Sequence, residues 1–349
     1  MILQNRIENL RAKFGENGID AFYSSDKYTV RYFTDKKGDD CSILVLKDKA
    51  YLISDFRYRE AMENTPGFIY SEEKAEKLIE SESIERLGFE KNRILLEEYL
   101  KLKDAPKQAV LLDKLVDELR MVKDDEEMRR TAAAEKLGCD AFDYILGYIK
   151  PGMTEKEVAL ELDHWMLSHG AEELSFDTIC VYGKKSSMPH GIPDGSVIGI
   201  GSFLTLDFGC VIDGYHSDMT RTIAIGSADD EMKKVYDTVL KAQLNACEKI
   251  RPGIKGTEAH RYAADIIEAA GYGEYFGHGL GHGTGLEIHE LPRFSPLYDG
   301  IIPENSIVSV EPGIYLPGRF GVRIEDLAIV KANGIINLAS SAPKELITI

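Results

Sequence analysis

Cations are scarce in this chain: 42 Lys and Arg stand against 59 Asp and Glu, for a formal charge of −17. Such a field repels phosphate backbones and leaves no basic stripe to track nucleic acid, whereas an amine-bearing substrate is compatible with it. Long apolar runs are missing too. None approaches the roughly 18 residues that a membrane span requires, so no membrane partner is expected. The opening stretch MILQNRIENLRAKFG alternates charged and apolar residues at helical spacing and lacks the apolar core of a signal peptide, which predicts a cytoplasmic location. Cysteine is sparse. Cys41, Cys139, Cys180, Cys210 and Cys247 are odd in number, scattered and without CxxC spacing, which predicts free thiols rather than a disulfide framework.

What is present points to two globular units. At 349 residues, with 44% aliphatic, aromatic and cysteine residues, the chain can build two cores of unequal size. Short apolar runs at AFYSS (21–25), SILVL (42–46) and AYLIS (50–54) alternate with helical stretches, the pattern of an α/β domain. Lys47 and Asp48 suggest a hairpin turn between the second and third runs. The stretch Leu119 to Arg130, LRMVKDDEEMRR, is expected to open a long helix whose acidic first turn suits the positive end of its dipole. The boundary is therefore placed at residue 121, giving units 1–121 and 122–349.

The second unit repeats itself. IKPGMTEKEVALELDHWM (149–166) resembles IRPGIKGTEAHRYAADIIE (250–268), each reading as a helix end, a Pro-Gly break, a Thr N-cap and a second amphipathic helix. Thr154 and Glu157 fit a capping box. About a hundred residues separate the copies, and the acids Asp207 and Asp218 precede Glu311 and Glu325 at nearly the same offset. A duplicated unit, each copy supplying one carboxylate pair, is the economical account.

Asp207 and Asp218 in LDFGCVIDGYHSD, His282 in GHGLGHGTG, Glu311 in SVEPG and Glu325 in GVRIED form an oxygen-rich donor set. Such a set suits two divalent ions better than one closed tetrahedral zinc, and predicts hydrolysis by a metal-activated water. Asp213-Gly214 is a strong two-residue hairpin signal. If Ile212 pairs with Tyr215, Asp207 falls opposite Thr220 and Asp218 opposite Gly209, so the two acids point from one face as diagonal neighbours. Strands at 307–311 and 321–329, flanking a turn at 317–320, would bring Glu311 near Glu325. Arg323 shares a face with Glu325, placed to orient a ligating carboxylate.

Five segments, SFDTICVYGKKSSMPHG, LTLDFGCVIDGYHSDMTRT, GHGLGHGTGLEIHE, SVEPGIY and GVRIED, resemble in order and spacing the pita-bread metallopeptidases that include Xaa-Pro aminopeptidases and Xaa-Pro dipeptidases. The first unit, with LISDFRYREA, looks like the smaller creatinase-type domain that accompanies the catalytic domain in these enzymes. The resemblance implies an α/β (α+β) chain, a creatinase-type domain followed by a pita-bread domain with internal pseudo-twofold duplication. It implies that Asp207, Asp218, His282, Glu311 and Glu325 bind two divalent ions, Mn first and Co, Zn or Fe as alternatives, with Glu311 also serving as general base. His289 would hydrogen-bond the scissile carbonyl or its oxyanion; His190 and His278 would position substrate, and Arg323 counts with these three on the substrate side. Peptides with proline in second position are the implied substrates, an aminopeptidase the first reading and a dipeptidase the alternative, and a homodimer the implied assembly. A creatinase-like hydrolase or an inactive binding module on the same fold would lack part of this ligand set.

Other residues read as structural. His216 shares a face with Asp218 by strand parity yet reads as a packing histidine, and His164, His169 and His260 fall on predicted helices. Lys184 and Lys185, before the His190 loop, read as solvated cations, with selection of acidic substrate residues as the sharper alternative.

Overall fold

In the computed structural model, which describes residues 2–349, the chain divides into two compact units that part between Arg120 and Met121. The first unit is built on six strands: β1 (Ala21–Ser24), β2 (Ser42–Leu46), β3 (Ala50–Ile53), β4 (Ile69–Ser71), β5 (Arg86–Glu90) and β6 (Gln108–Leu112). They form one mixed sheet in the order β4-β3-β2-β1-β5-β6. The predicted hairpin is present: Val45 pairs with Ala50, and the Leu46 N–H donates to the Lys49 carbonyl across Lys47 and Asp48. Helices α1 (Ile2–Ala12), α2 (Lys27–Thr34), α3 (Arg59–Met62), α4 (Ala75–Ser81), α5 (Leu96–Leu102) and α6 (Leu115–Met121) complete the unit. Buried Leu44, Leu87 and Phe89 of the strands meet Leu78, Ile79 and Leu102 of the helices in one apolar cluster.

The stretch 119–130 is not one helix start. It spans the end of α6, a break at 122–124, and the start of α7 (Asp125–Tyr148). The reason is Asp124, whose side chain accepts the N–H groups of Glu126 and Glu127 while Glu127 reaches back to the Asp124 N–H. This capping box satisfies donors that a continuous helix would not leave free.

Helix α7 is followed by α8 (Glu155–Ser168), and about a hundred residues later α9 (Asp230–Lys249) is followed by α10 (Gly256–Ala269). Each pair is separated by a Pro-Gly break whose glycine, Gly152 or Gly253, has positive φ. Buried Met232, Val235, Val239, Ala242 and Ala246 recur at three- and four-residue spacing on α9, so one stripe faces the core. The duplication extends to single bridges, Thr154 to Val197 in one copy and Lys255 to Ile301 in the other. Thr154 caps α8 in a capping box with Glu157. In the second copy the N-cap is Lys255, without a side-chain bond, and Thr257 lies inside α10 with its hydroxyl on Asp299. The expected second Thr cap is thus corrected: Lys255 occupies the position equivalent to Thr154, and Thr257 falls two residues late.

The strands of this unit are β7 (Glu173–Leu174), β8 (Ile179–Tyr182), β9 (Ser202–Phe208), β10 (Cys210–Ile212), β11 (Tyr215–His216) and β12 (Met219–Ile225) in the first copy. The second copy contributes β13 (Gly281–Gly283), β14 (Glu290–Phe294), β15 (Ile307–Val310), β16 (Gly313–Leu316), β17 (Phe320–Arg323), β18 (Asp326–Lys331) and β19 (Gly334–Asn337). Helices α7 and α8 cover β8, β9 and β12 through Phe142, Ile145, Leu162, Leu204 and Leu206. Helices α9 and α10 cover the second copy's strands through Val239, Ile267, Val308 and Val322. Apolar area removed from water on each layer, worth about 25 cal/mol per Å², is what holds each helix pair to its sheet. Among the described residues the five cysteines are free, and no helix is long and apolar enough to cross a membrane.

Candidate metal centre

Two hairpins deliver the acids. Asp213 and Gly214 take positive φ, 48° and 84°, as a tight two-residue turn demands, and Ile212 pairs with Tyr215. The register runs on without a bulge, so Asp207 lies opposite Thr220 and Asp207 and Asp218 share a face. In the other copy Val310 pairs with Asp326 and Gly313 with Arg323, which sets Glu311 opposite Glu325 in the gap between the two ladders. Of the expected strands, 307–311 ends one residue short at Val310 and 321–329 is cut in two as β17 and β18, so that Glu311 and Glu325 both lie outside the strands. The Thr220 to Glu325 bridge joins the copies: the Glu325 N–H donates to the Thr220 carbonyl, and the Thr220 hydroxyl donates to Glu325 Oε2 at 2.6 Å.

His282 comes from β13, where a glycine on either side lets neighbouring backbone approach closely. A Cβ at position 281 would lie 2.0 Å from the Ser309 carbonyl oxygen. The Ser309 hydroxyl accepts the His282 N–H and donates to Glu311 Oε1. His282 Nδ1 lies 3.1 Å from the Gly283 carbonyl, so this nitrogen carries the proton and Nε2 presents a bare lone pair. That lone pair is 3.4 Å from both Asp218 Oδ2 and Glu311 Oε1.

Acceptors thus converge on one another, with Ser309, Thr220 and Arg323 donating to Glu311, Glu325 and Asp207. Donor atoms of Asp218, His282 and Glu325 lie within 4.8 Å of one another, all three residues buried. Among the described residues the buried Asp207 Oδ1 has no hydrogen-bond partner. Burial, and then the neighbouring Glu325, Asp207 and Glu311 charges, hold the Asp218 carboxyl well above its ordinary range. Glu325 is raised by the same causes, burial first and then Glu311 and Asp207. Burial raises Glu311 to about 7 against the opposing pull of Arg323, and burial lowers His282 to about 3, so its imidazole is neutral. Crowded carboxylates, an orphaned oxygen and an aimed imidazole lone pair fit a divalent cation.

The surrounding side chains divide into committed and free groups. Arg323 donates from Nη2 to Asp207, from Nε to Thr220, and from Nη1 to the Tyr315 hydroxyl and the Pro189 carbonyl. Its guanidinium borders the cavity, yet four hydrogen bonds tie it to protein. His278 is also engaged, Nδ1 with the Gly279 carbonyl and Nε2 with the Tyr315 hydroxyl at 3.0 Å; burial lowers it to about 4. His190 and His289 line the same space and make no hydrogen bond among the described residues, His289 packed edge-on against His282 with ring centroids 4.4 Å apart. All nine residues predicted for the site border one cavity of about 1350 Å³.

Three contributors were not legible from motifs. Glu135 on α7 accepts the Asp218 N–H at 3.1 Å; Tyr315 links Arg323 to His278; and Arg293, directly opposite His282 in the ladder, lines the cavity as a cation. Only strand parity along ELPRF could have pointed to Arg293. His216 is structural, as expected: both its backbone N–H and Nδ1 meet the Gly285 carbonyl.

The fold and site define a metal-dependent hydrolase with a separate N-terminal unit. A model of metallopeptidase family M24 matches residues 126–332, and one of the creatinase/prolidase N-terminal domain matches residues 6–122. The chain is 41% identical over 351 residues to the uncharacterized peptidase YqhT of Bacillus subtilis (strain 168), covering 98% of this chain and 99% of that one. The solved Xaa-Pro dipeptidase from Bacillus anthracis superposes with a TM-score of 0.96 at 39% identity, over 99% of this chain and 100% of the other. The X-Pro aminopeptidase from Thermotoga maritima MSB8 gives 0.89 at 34%, over 97% and 100%. The chain belongs to metallopeptidase family M24, and is a peptidase with a creatinase/prolidase N-terminal domain ahead of its catalytic unit.

Proposed function

We propose that this peptidase is a dinuclear-metal aminopeptidase that removes the first residue from peptides with proline in second position. The carrying observation is the convergence of Asp207, Asp218, His282, Glu311 and Glu325 with the unengaged imidazoles of His190 and His289 in one cavity. The five donors would hold two divalent ions, Mn by preference, which when bound supply Lewis acidity and lower the pKa of water. Glu311 takes the proton of the attacking water and passes it to the leaving imino nitrogen of proline. His289 donates to the oxygen on which negative charge develops, an interaction stronger in the transition state than in the ground state. His190 orients the substrate carbonyl, and the buried acids hold its free α-amine. Arg323, Tyr315 and His278 keep the acid cluster in place.

Cavity size supports the aminopeptidase over the dipeptidase: about 1350 Å³ exceeds the ~300–1,000 Å³ of ordinary small-ligand pockets and leaves room beyond the proline. One observation favours the second reading. Arg293 lines the cavity, and a cation there could pair with the terminal carboxylate of a dipeptide; the Bacillus anthracis relative is named an Xaa-Pro dipeptidase. Hydrolysis of Ala-Pro and Ala-Pro-Ala by purified protein with added Mn decides. Faster release of alanine from the tripeptide supports the aminopeptidase, cleavage confined to Ala-Pro the dipeptidase, and cleavage of neither overturns the proline assignment.

A further inference from the structure

A second cavity, of about 750 Å³, abuts the one that holds the acids, and Ser187 and Pro317 border both. The wall they share is pinned. The Gly321 N–H donates to Ser186 Oγ at 2.8 Å and the Gly318 N–H to Ser187 Oγ at 3.3 Å, which fastens the turn 183–187 to the hairpin of β16 and β17. A Cβ at position 321 would lie 2.2 Å from the Ser186 carbonyl oxygen, so the two segments meet backbone to backbone. Just beyond the turn, the Pro189 carbonyl accepts from Arg323, the same cation that holds Asp207. The turn therefore keeps a fixed place relative to the acids. Two of its cations, Lys184 and Lys185, line the second cavity. Lys185 is engaged inside the protein, with buried Glu155 and with Asp194 at 2.9 Å. Lys184 is exposed and has no acidic partner among the described residues. In a chain of formal charge −17 its ammonium is a local exception, and a ready partner for a carboxylate that enters this space.

We propose that the second cavity receives the residues that follow proline, and that Lys184 selects there for a peptide carboxylate, either an acidic side chain or the C-terminus. An extended peptide advances at most about 3.3–3.6 Å per residue, so the third and fourth residues carry the substrate roughly 7 Å beyond proline and over the shared wall. Lys184 touches no reacting atom; it changes which peptides bind, not how the bond breaks. An exposed ion pair is weak and screened by salt, so the selectivity is modest and is read in KM. The inference rests on the aminopeptidase reading, because a dipeptide ends before the shared wall.

The test compares kcat/KM of the full chain loaded with Mn for C-terminally amidated pairs, Ala-Pro-Asp-Ala against Ala-Pro-Asn-Ala and Ala-Pro-Ala-Asp against Ala-Pro-Ala-Asn. Ala-Pro-Ala-Ala as free acid and as amide makes a further pair. The acid is expected to be favoured ~2- to 5-fold through KM in at least one pair, the size of an exposed ion pair, and the preference to fade at high salt. A preference in a side-chain pair assigns the subsite to acidic residues, and one confined to the free acid assigns it to the terminus. Lys184→Met is expected to bring the ratio to about 1, and Lys184→Glu to invert it. Lys150→Met, which removes an exposed cation that lines neither cavity, is expected to keep the wild-type ratio. No preference in any pair, one that survives Lys184→Met, or one lost equally in Lys150→Met overturns the proposal. A wild type that cleaves Ala-Pro but no tetrapeptide overturns the aminopeptidase reading and this inference together, whereas cleaved tetrapeptides without a Lys184-dependent preference overturn this inference alone.

Discussion

Arg323 Nη2 donates to Asp207 Oδ2 across 2.5 Å, tying a strand of the second copy to an acid of the first. The same guanidinium holds Thr220, which in turn donates to Glu325. One planar cation therefore orients an acid from each half of the duplication. Among the described residues the other Asp207 oxygen, Oδ1, has no hydrogen-bond partner.

Arg323→Lys keeps the charge and loses the fork. A lysine ammonium cannot serve Asp207, Thr220 and Tyr315 together. Metal affinity is expected to fall ~10- to 100-fold, the usual cost of losing an orienting partner, with little change in far-UV circular dichroism. Equilibrium dialysis against Mn checks this; wild-type affinity in the variant would refute the orienting role.

Metal removal should make stability depend on pH in a particular direction. Glu311 is raised from 4.5 to about 7, and Asp218 and Glu325 are raised well above their ordinary values. Between those limits the folded metal-free chain binds more protons than the unfolded one, so this cluster's contribution to stability falls as pH rises. A bound cation replaces those protons and its benefit grows with pH. The gap between Tm with Mn and Tm with EDTA is therefore expected to widen from pH 5.5 to 8. A constant gap would mean that the acids are not the groups the metal displaces protons from.

The first acid pair was legible because a two-residue Asp-Gly turn fixes register, and register with a period of two fixes which face each acid takes. The second pair was legible in position only. Glu311 and Glu325 sit where the ladder is interrupted, and an interruption has no sequence signal comparable to Asp213-Gly214. Glu135 escaped for another reason: its partner Asp218 lies 83 residues away, whereas Tyr315 lies on the hairpin strand paired with that of Arg323, and no motif marks its hydroxyl as the link to His278. Local propensity also misplaced the cap of α10, where Thr257 is a better capping residue by type than Lys255 but sits two positions too late.

Lys184 and Lys185 looked alike in sequence and differ in the fold. Lys185 bonds Glu155, whose side chain is fully buried, and Asp194 at 2.9 Å, whereas Lys184 is exposed. Lys185→Met strands the buried Glu155 and is expected to cost about 3 kcal/mol. Lys184→Met is expected to stay within about 0.5 kcal/mol. Urea melts of the two variants distinguish them, and equal midpoints would show that the Glu155 pair contributes nothing.

Two glycine-to-alanine changes should have opposite signs. Gly147 lies exposed in the last turn of α7 with nothing within 4 Å of an added Cβ, so alanine there gains helix propensity and is expected to stabilise by about 0.5–1 kcal/mol. At Gly281 the same methyl would meet the Ser309 carbonyl oxygen at 2.0 Å and its carbon at 2.7 Å, both backbone atoms that cannot step aside alone. Strand β13 must then move from β15, and Ser309 is the residue that holds both His282 and Glu311. Gly281→Ala is therefore expected to destabilise by ~1–3 kcal/mol or more and to lose Mn affinity in the same step. Thermal melts with and without Mn separate the effects: if Gly281→Ala keeps the full Mn-induced rise in Tm, the close approach of β13 to β15 is not what sets the imidazole against the acids.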